Sequence, residues 1–373
     1  MKASTTSKKL LAALLAAAMS VSMAACGQTG NNSGDADRIS AESVKEDNQA
    51  AADTQETADA QEQTDTESTK HTEYPVTITT YGRDGAEYTT TYEKAPEKVL
   101  AVYQGCVETM LALGLEDHLV ATAGLDNAVP DDQKAAFSQV EYLDEFTPSK
   151  ETVTMLEPDL IFSWVSLFGE KALGDAQSWI DNGTNVYISS NTAVAEKSLE
   201  NEYNDILNMG IIFDVQDKAE ALVNEMKDTI ESVKTAAASE SASPSVLVIE
   251  SGKDSFTNYN ATSLAGDMVT QLGGTLANAD GASLGKEDII AADPDVIFVV
   301  YMPYTGDDPE TVKQEKLNVI LEDEAYASLS AVQNGRVVPI MLSEMYASAT
   351  RTQDGIETIA RGLYPELELN LGE

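Results

Sequence analysis

The sequence predicts an α/β protein of two Rossmann-like lobes joined by a long α-helix, with a ligand cleft between the lobes. Three observations predict it. A phrase at 150–162, Lys-Glu-Thr-Val-Thr-Met-Leu-Glu-Pro-Asp-Leu-Ile-Phe, returns at 286–298 as Lys-Glu-Asp-Ile-Ile-Ala-Ala-Asp-Pro-Asp-Val-Ile-Phe. Each copy reads as a short amphipathic helix, an acid-Pro-Asp turn and a buried apolar strand; Pro158 and Pro294 disfavour helix in the residue before them. Around both copies, apolar runs alternate with helical patterns, which means parallel α/β layers. Between the copies lies a stretch that is helical throughout and long enough to bridge two lobes.

The chain of 373 residues suits about two domains once its ends are trimmed. Residues 1–25 begin with Lys2, Lys8 and Lys9 and run apolar from Leu10 to Ala18, the charged and apolar regions of a secretory signal, too short to span a bilayer. The signal ends Met23-Ala24-Ala25-Cys26-Gly27. Residues 26–72 hold almost no large apolar side chain and read as a disordered acidic tether. A formal charge of -40 excludes a nucleic-acid partner, whose phosphates would be repelled.

The first lobe is expected over 73–192. Val76–Thr80 and Tyr88–Tyr92 alternate around Gly82-Arg83-Asp84-Gly85, a hairpin. Strands follow at Val99–Tyr103, Val120–Ala123, Leu160–Trp164 and Val186–Ser189, with helices at Cys106–Leu113 and Ala172–Asn182. The connector, 193–244, is predicted helical at Val194–Phe213 and Asp217–Ala237, with Asp217 as N-cap and Leu222, Met226, Ile230 and Val233 on one face. The second lobe, 245–373, repeats the plan. Its strands fall at Val246–Glu250, Val296–Val300 and Val337–Ile340, and its helices at Ser263–Leu272 and Arg351–Leu363. Short helical pieces are expected at Leu317–Glu322 and Tyr326–Leu329.

Small residues before Cys26 resemble the bacterial lipobox, in which the cysteine is lipidated. That feature, with Ala95-Pro96-Glu97-Lys98-Val99, Glu108-Thr109-Met110-Leu111-Ala112-Leu113-Gly114 and the two acid-Pro-Asp turns, resembles the class III substrate-binding lipoproteins of bacterial ABC importers. These capture iron–siderophores, haem and cobalamin. The resemblance covers about 74–365 and implies a monomer held by lipid to the outer face of the cell membrane. It also implies a rigid linking helix and delivery of a metal chelate, a ferric siderophore first, to a permease dimer. One surface glutamate per lobe docks such proteins to the permease; by position these match Glu151 and Glu287. Two carboxylates on equivalent faces would form a two-point clamp, and as first-turn residues both would also suit the helix dipole.

Ligands of open α/β sheets bind beyond the carboxyl ends of the strands. Those ends supply Tyr103, Gln104, Leu125 to Asn127, Trp164, Ser166, Phe256, Tyr259, Tyr301, Met302, Tyr304, Met341, Met345, Tyr346 and Arg351 as candidate ligand contacts, several of them aromatic. Arg351 could pair with an oxygen of a chelate, or face Glu344 or solvent. Cys106 could line the cleft or pack as a small hydrophobe. Bare zinc capture favours several imidazoles; with only His71 and His118, neither at a strand end, a metal arriving inside its own chelator fits better, and no cofactor or protein-held metal is expected. Haem held through Tyr301, Tyr304 or Met341 is an alternative, as is cobalamin. A surface lipoprotein that senses or adheres would share the fold. No Gly-x-Ser-x-Gly, Gly-x-Gly-x-x-Gly or His-Glu-x-x-His is present, so no catalytic residue is assigned.

Overall fold

The computed structural model describes residues 70–238, 243–367 and 369, all within one compact unit, Thr66–Glu373. The signal peptide, Cys26 and most of the expected tether lie outside the described residues. Residues 70–74 are already tied down: Thr72 donates its backbone N–H to Asp214 at 2.6 Å and its hydroxyl to Ile211, and Tyr74 donates to Ile212.

An antiparallel hairpin, β1 (Val76–Tyr81) and β2 (Glu87–Tyr92), opens the described chain. The first lobe holds β3 (Val99–Val102), β4 (Leu119–Ala123), β5 (Leu160–Ser163) and β6 (Asn185–Ile188) in the order β4-β3-β5-β6, all parallel. The second lobe holds β7 (Ser245–Ser251), β8 (Phe256–Asn258), β9 (Thr275–Leu276), β10 (Ser283–Leu284), β11 (Val296–Tyr301) and β12 (Val337–Met341). There β9, β7, β11 and β12 run parallel in that order, while β8 and β10 add an antiparallel edge beside β7. The two parallel layers share one topology. From a central first strand, β3 or β7, the chain steps to one side and then returns to fill the other. Each lobe therefore has a switch point at the carboxyl end of its central strand, where such sheets bind ligands.

Both faces of each sheet are covered, so the central strands are apolar throughout rather than alternating. Val99, Ala101, Val246 and Val248 point into a core shared with the connector, while Leu100, Val102, Leu247 and Ile249 point into each lobe's outer layer.

The connector is a helical pair, Leu199–Phe213 and Gln216–Ala237. The first starts later than periodicity suggested, at the N-cap Ser198, whose side chain accepts from the Asn201 N–H. Asp217 is not the N-cap of the second; it lies in the first turn. The pair crosses closely at Gly210, where an added Cβ would fall 2.6 Å from that of Ala219, so glycine lets the backbones approach.

In the repeated phrase, helices Lys150–Leu156 and Lys286–Ala292 each end in an acidic residue with left-handed backbone, Glu157 (φ 50°) and Asp293 (φ 37°), just before the proline. The aspartate after each proline does the same work in both lobes. Asp159 accepts the backbone N–H groups of Glu97 and Lys98, and Asp295 accepts the backbone N–H and the hydroxyl of Ser245. Each carboxylate thus ties the phrase to the start of the neighbouring central strand.

Three elements differ from expectation. The helix after β5 begins at Ala176, not Ala172, because Asp175 caps it and Gly169–Gly174 closes a turn before it. Leu317–Glu322 is the end of a longer helix, Pro309–Leu321, started by Asp308 and Pro309. Its only fully buried side chain is Ile320, which left no apolar period to read. Tyr326 to Leu329 is a 3-10 turn, Glu324–Tyr326, and its exit.

Candidate ligand cleft between the lobes

The carboxyl end of β3 delivers Tyr103, which caps helix Gln104–Ala112 with a positive φ of 91°. Non-glycine residues hold such geometry only where the surroundings enforce it. Here the Tyr103 N–H bonds to the Ala123 carbonyl at 3.0 Å. Gly124 (φ 78°) lies so near that a Cβ would sit 3.1 Å from the Tyr103 nitrogen. The ring is thereby aimed at Trp164 from the end of β5, with centroids 3.9 Å apart. Trp164 in turn lies 5.8 Å from Tyr346, from the second lobe, and Tyr346 lies 6.5 Å from Tyr259.

Tyr103, Trp164 and Tyr346 border an interlobe cavity of about 140 Å³, lined also by Gln104, Glu108, Asp126, Met302 and Ser343. A concavity of about 720 Å³ lies elsewhere, against Ser243, Asp295, Arg336 and Tyr364. It meets the amino ends of the second-lobe strands, the wrong end for a ligand of this fold. The smaller cavity is the candidate site.

Its polar frame crosses the lobes. Gln104 donates to Glu108 at 2.5 Å and accepts from the N–H groups of Asp126 and Asn127. Glu108, fully buried, receives a two-pronged bond from Arg351 at 2.6 and 2.7 Å. Arg351 also donates to the Ala128 carbonyl and to Ser343. The Thr305 N–H donates to the Asp126 carbonyl, Asn127 to the Pro303 carbonyl, and the Ala349 N–H to Glu202. Burial pushes the Glu108 carboxyl above its ordinary value, opposed by Arg351 and Gln104. Burial likewise raises Asp126, and burial together with Asp126 keeps the Tyr103 phenol protonated. The indole Nε1 of Trp164 and the Oδ1 of Asn127 are buried without a hydrogen-bond partner.

Of the sequence candidates, Tyr103, Gln104, Asp126, Trp164, Met302 and Tyr346 come together at the cavity. Tyr259 stands one ring behind, its hydroxyl bonded to Glu250 at 2.7 Å. Ser166 is exposed on a turn after β5, and Tyr304 is 56% exposed beyond β11. Tyr301 and Met341 are register partners at the ends of β11 and β12 and do not line the cavity. Arg351 is buried, does not line the cavity, and commits its guanidinium to Glu108. Cys106 is buried in the core, and burial raises its thiol well above the ordinary value, so it behaves as a small hydrophobe. His71 pairs with Asp214, and His118 sits against the Pro96 carbonyl; among the described residues no cluster of metal-binding side chains occurs. Glu108 and Ser343 were missed. A Gln-x-x-x-Glu spacing just after β3 was the available signal for Glu108, since i and i+4 share a helix face.

Outside the cleft, Glu151 and Glu287 are exposed on the first turns of the two phrase helices. The same helices expose Met155 (77%) and Ile290 (38%).

Residues 99–341, both parallel sheets and the connector, match the periplasmic binding protein family. The chain belongs to that family. This periplasmic binding protein is 25% identical over 306 residues to an uncharacterized ABC transporter substrate-binding lipoprotein, YvrC, of Bacillus subtilis strain 168, covering 79% of this chain and 87% of that one. It superposes on a periplasmic binding protein from Veillonella parvula DSM 2008 with a TM-score of 0.73 and 29% identity, over 79% of this chain and 93% of the other. A protein of an ABC-type Fe3+-hydroxamate transport system from Saccharomonospora viridis DSM 43017 shares the fold at 0.60 and 23% identity, over 78% and 99%. None of the described helices is long and apolar enough to cross a membrane.

Proposed function

We propose that the protein, lipid-anchored through Cys26 to the outer face of the cell membrane, captures a metal chelate and delivers it to an ABC importer permease, without catalysing a reaction. The observation that carries this reading is the meeting of Tyr103, Trp164 and Tyr346 where the switch points of the two lobes face each other. Rings of that kind suit a ligand with apolar faces and few charges. The cavity is smaller than the roughly 300–1,000 Å³ usual for ligand sites, so the interlobe bonds of Thr305, Asn127 and Arg351 must yield as a chelate enters.

Trp164 borders the cavity, whereas Trp179 is buried and donates to the Leu173 carbonyl. Titration of the purified protein with a bound chelate should therefore quench Trp164, and Trp164→Phe should remove most of the quench. A quench that survives in that variant would place the ligand elsewhere.

Glu151 and Glu287 serve as the two docking carboxylates on the permease side. Reversing both (Glu151→Lys with Glu287→Lys) should leave chelate affinity within about twofold while uptake falls at least tenfold, because rim charges govern encounter with the partner. Uptake at the parent rate would remove the docking assignment and favour a lipoprotein that binds without transport.

A further inference from the structure

The charge on the cavity wall narrows the ligand class. Among the described side chains lining the cavity, Glu108 and Asp126 carry the only formal charges, and both are acidic. Glu108 is matched by Arg351. Asp126 makes no ion pair among the described residues; it faces the Tyr103 hydroxyl. Lysines near the strand ends do not compensate it. Lys316 reaches Ser251 at the end of β7, Lys171 and Lys253 are exposed, and none of the three lines the cavity. The next layer adds further acid, with Glu250 behind Tyr259 and Glu344 beside Tyr301.

We infer that the cleft takes an uncharged or cationic metal chelate and rejects anionic ones; this rests on the metal-chelate reading above. An anionic chelate entering here would give up its hydration for rings and a carboxylate, with no unpaired cation among the described lining residues to meet it. A cation would find the faces of Tyr103, Trp164 and Tyr346, whose quadrupoles attract positive charge, and the Asp126 carboxylate beside them. The net charge of -40 adds a long-range field of the same sign, drawing in cations and slowing the approach of anions.

Calorimetric titration of the purified full chain with chelates of graded charge tests this. The panel comprises a singly cationic ferric trihydroxamate, a neutral ferric trihydroxamate, a neutral cobalt corrinoid, a trianionic ferric tris-catecholate and haem with its two propionates. The expected result is that the tightest binder is neutral or cationic, and that the anionic probes bind at least about a hundredfold more weakly, the size of an unrelieved like-charge contact. In Asp126→Asn, the preference for the cationic over the trianionic probe should shrink about tenfold. Tightest binding by the tris-catecholate or haem would overturn the charge inference while leaving the chelate reading in place. An unchanged preference in Asp126→Asn would overturn it too. Heat from no member of the panel would remove the chelate reading itself.

Discussion

Arg351→Met should cost roughly 3–5 kcal/mol of stability, the usual cost of stranding one member of a buried ion pair. The partner left behind is Glu108, fully buried, with only Gln104 still donating to it. The guanidinium also donates to Ala128 in the first lobe and to Ser343 in its own, so its loss frees two partners across the lobes and one within the second. For a unit of this size the midpoint of thermal unfolding should drop by roughly 10 °C. Removing both charges, with Arg351→Met and Glu108→Leu together, should cost clearly less than the single change, because no uncompensated carboxylate remains. A single variant within about 1 kcal/mol of the parent, measured by denaturant titration, would show that water reaches the pair and that it contributes little. A double variant no better than the single would mean that packing of the arginine stem, not its charge, holds the lobes there.

The pair also shows what could be read in the sequence and what could not. Strand and helix alternation and the repeated phrase gave the two-lobe plan because they are local signals. A buried parallel strand is an unbroken apolar run, as in Val99–Val102 and Val296–Val300, and an acid-Pro-Asp turn stops a helix wherever it stands. The strand-end rule then brought Tyr103, Trp164 and Tyr346 to notice, since position beyond a parallel strand is a property of topology. The same rule also named Ser166, exposed on a turn, and Tyr304, largely exposed near Tyr103, because it gives the edge of the sheet and not the direction a side chain takes from it. Glu108 and Arg351 are 243 positions apart, and nothing near either one names the other. Likewise Ala347 (φ 48°) and Ala349 (φ 51°) adopt left-handed backbone that alanine does not advertise. That segment is held from outside by Glu202, which accepts from the Ala349 N–H, and by Glu108, which pairs with Arg351 just after it, a tertiary cause invisible in its own residues.

Stability should be greatest in mild acid and fall as pH rises toward neutrality. Burial, with Asp205 second, lifts Glu202 from its ordinary 4.5 to about 7. Burial lifts Asp205 from 3.8 to about 6 against hydrogen bonds from Ser190 and Tyr187, and burial with Asp354 lifts Glu344 to about 7. In the window between the ordinary and the raised values, the folded chain binds more protons than the unfolded one. Stability from these groups is therefore complete below about pH 4 and is lost as pH climbs through 6 and 7. Glu202 alone, fully buried, accounts for roughly 3 kcal/mol of that loss. The acid limb has the opposite cause. Asp214, Asp295, Asp308 and Asp323 are held below their ordinary value by hydrogen bonds, so their contribution disappears only as pH falls below about 3.8. The unfolding midpoint should thus peak near pH 4.5–5 and decline to pH 8. Glu202→Gln keeps the amide of Ala349 supplied with an acceptor but cannot ionise, so its decline between pH 5 and 7 should be shallower by up to about 1.4 kcal/mol per pH unit. A midpoint at pH 8 equal to that at pH 5, or a Glu202→Gln profile parallel to the parent's, would show that these carboxyls are ionised in the folded protein at neutral pH and that the network around Ala349 holds full charges.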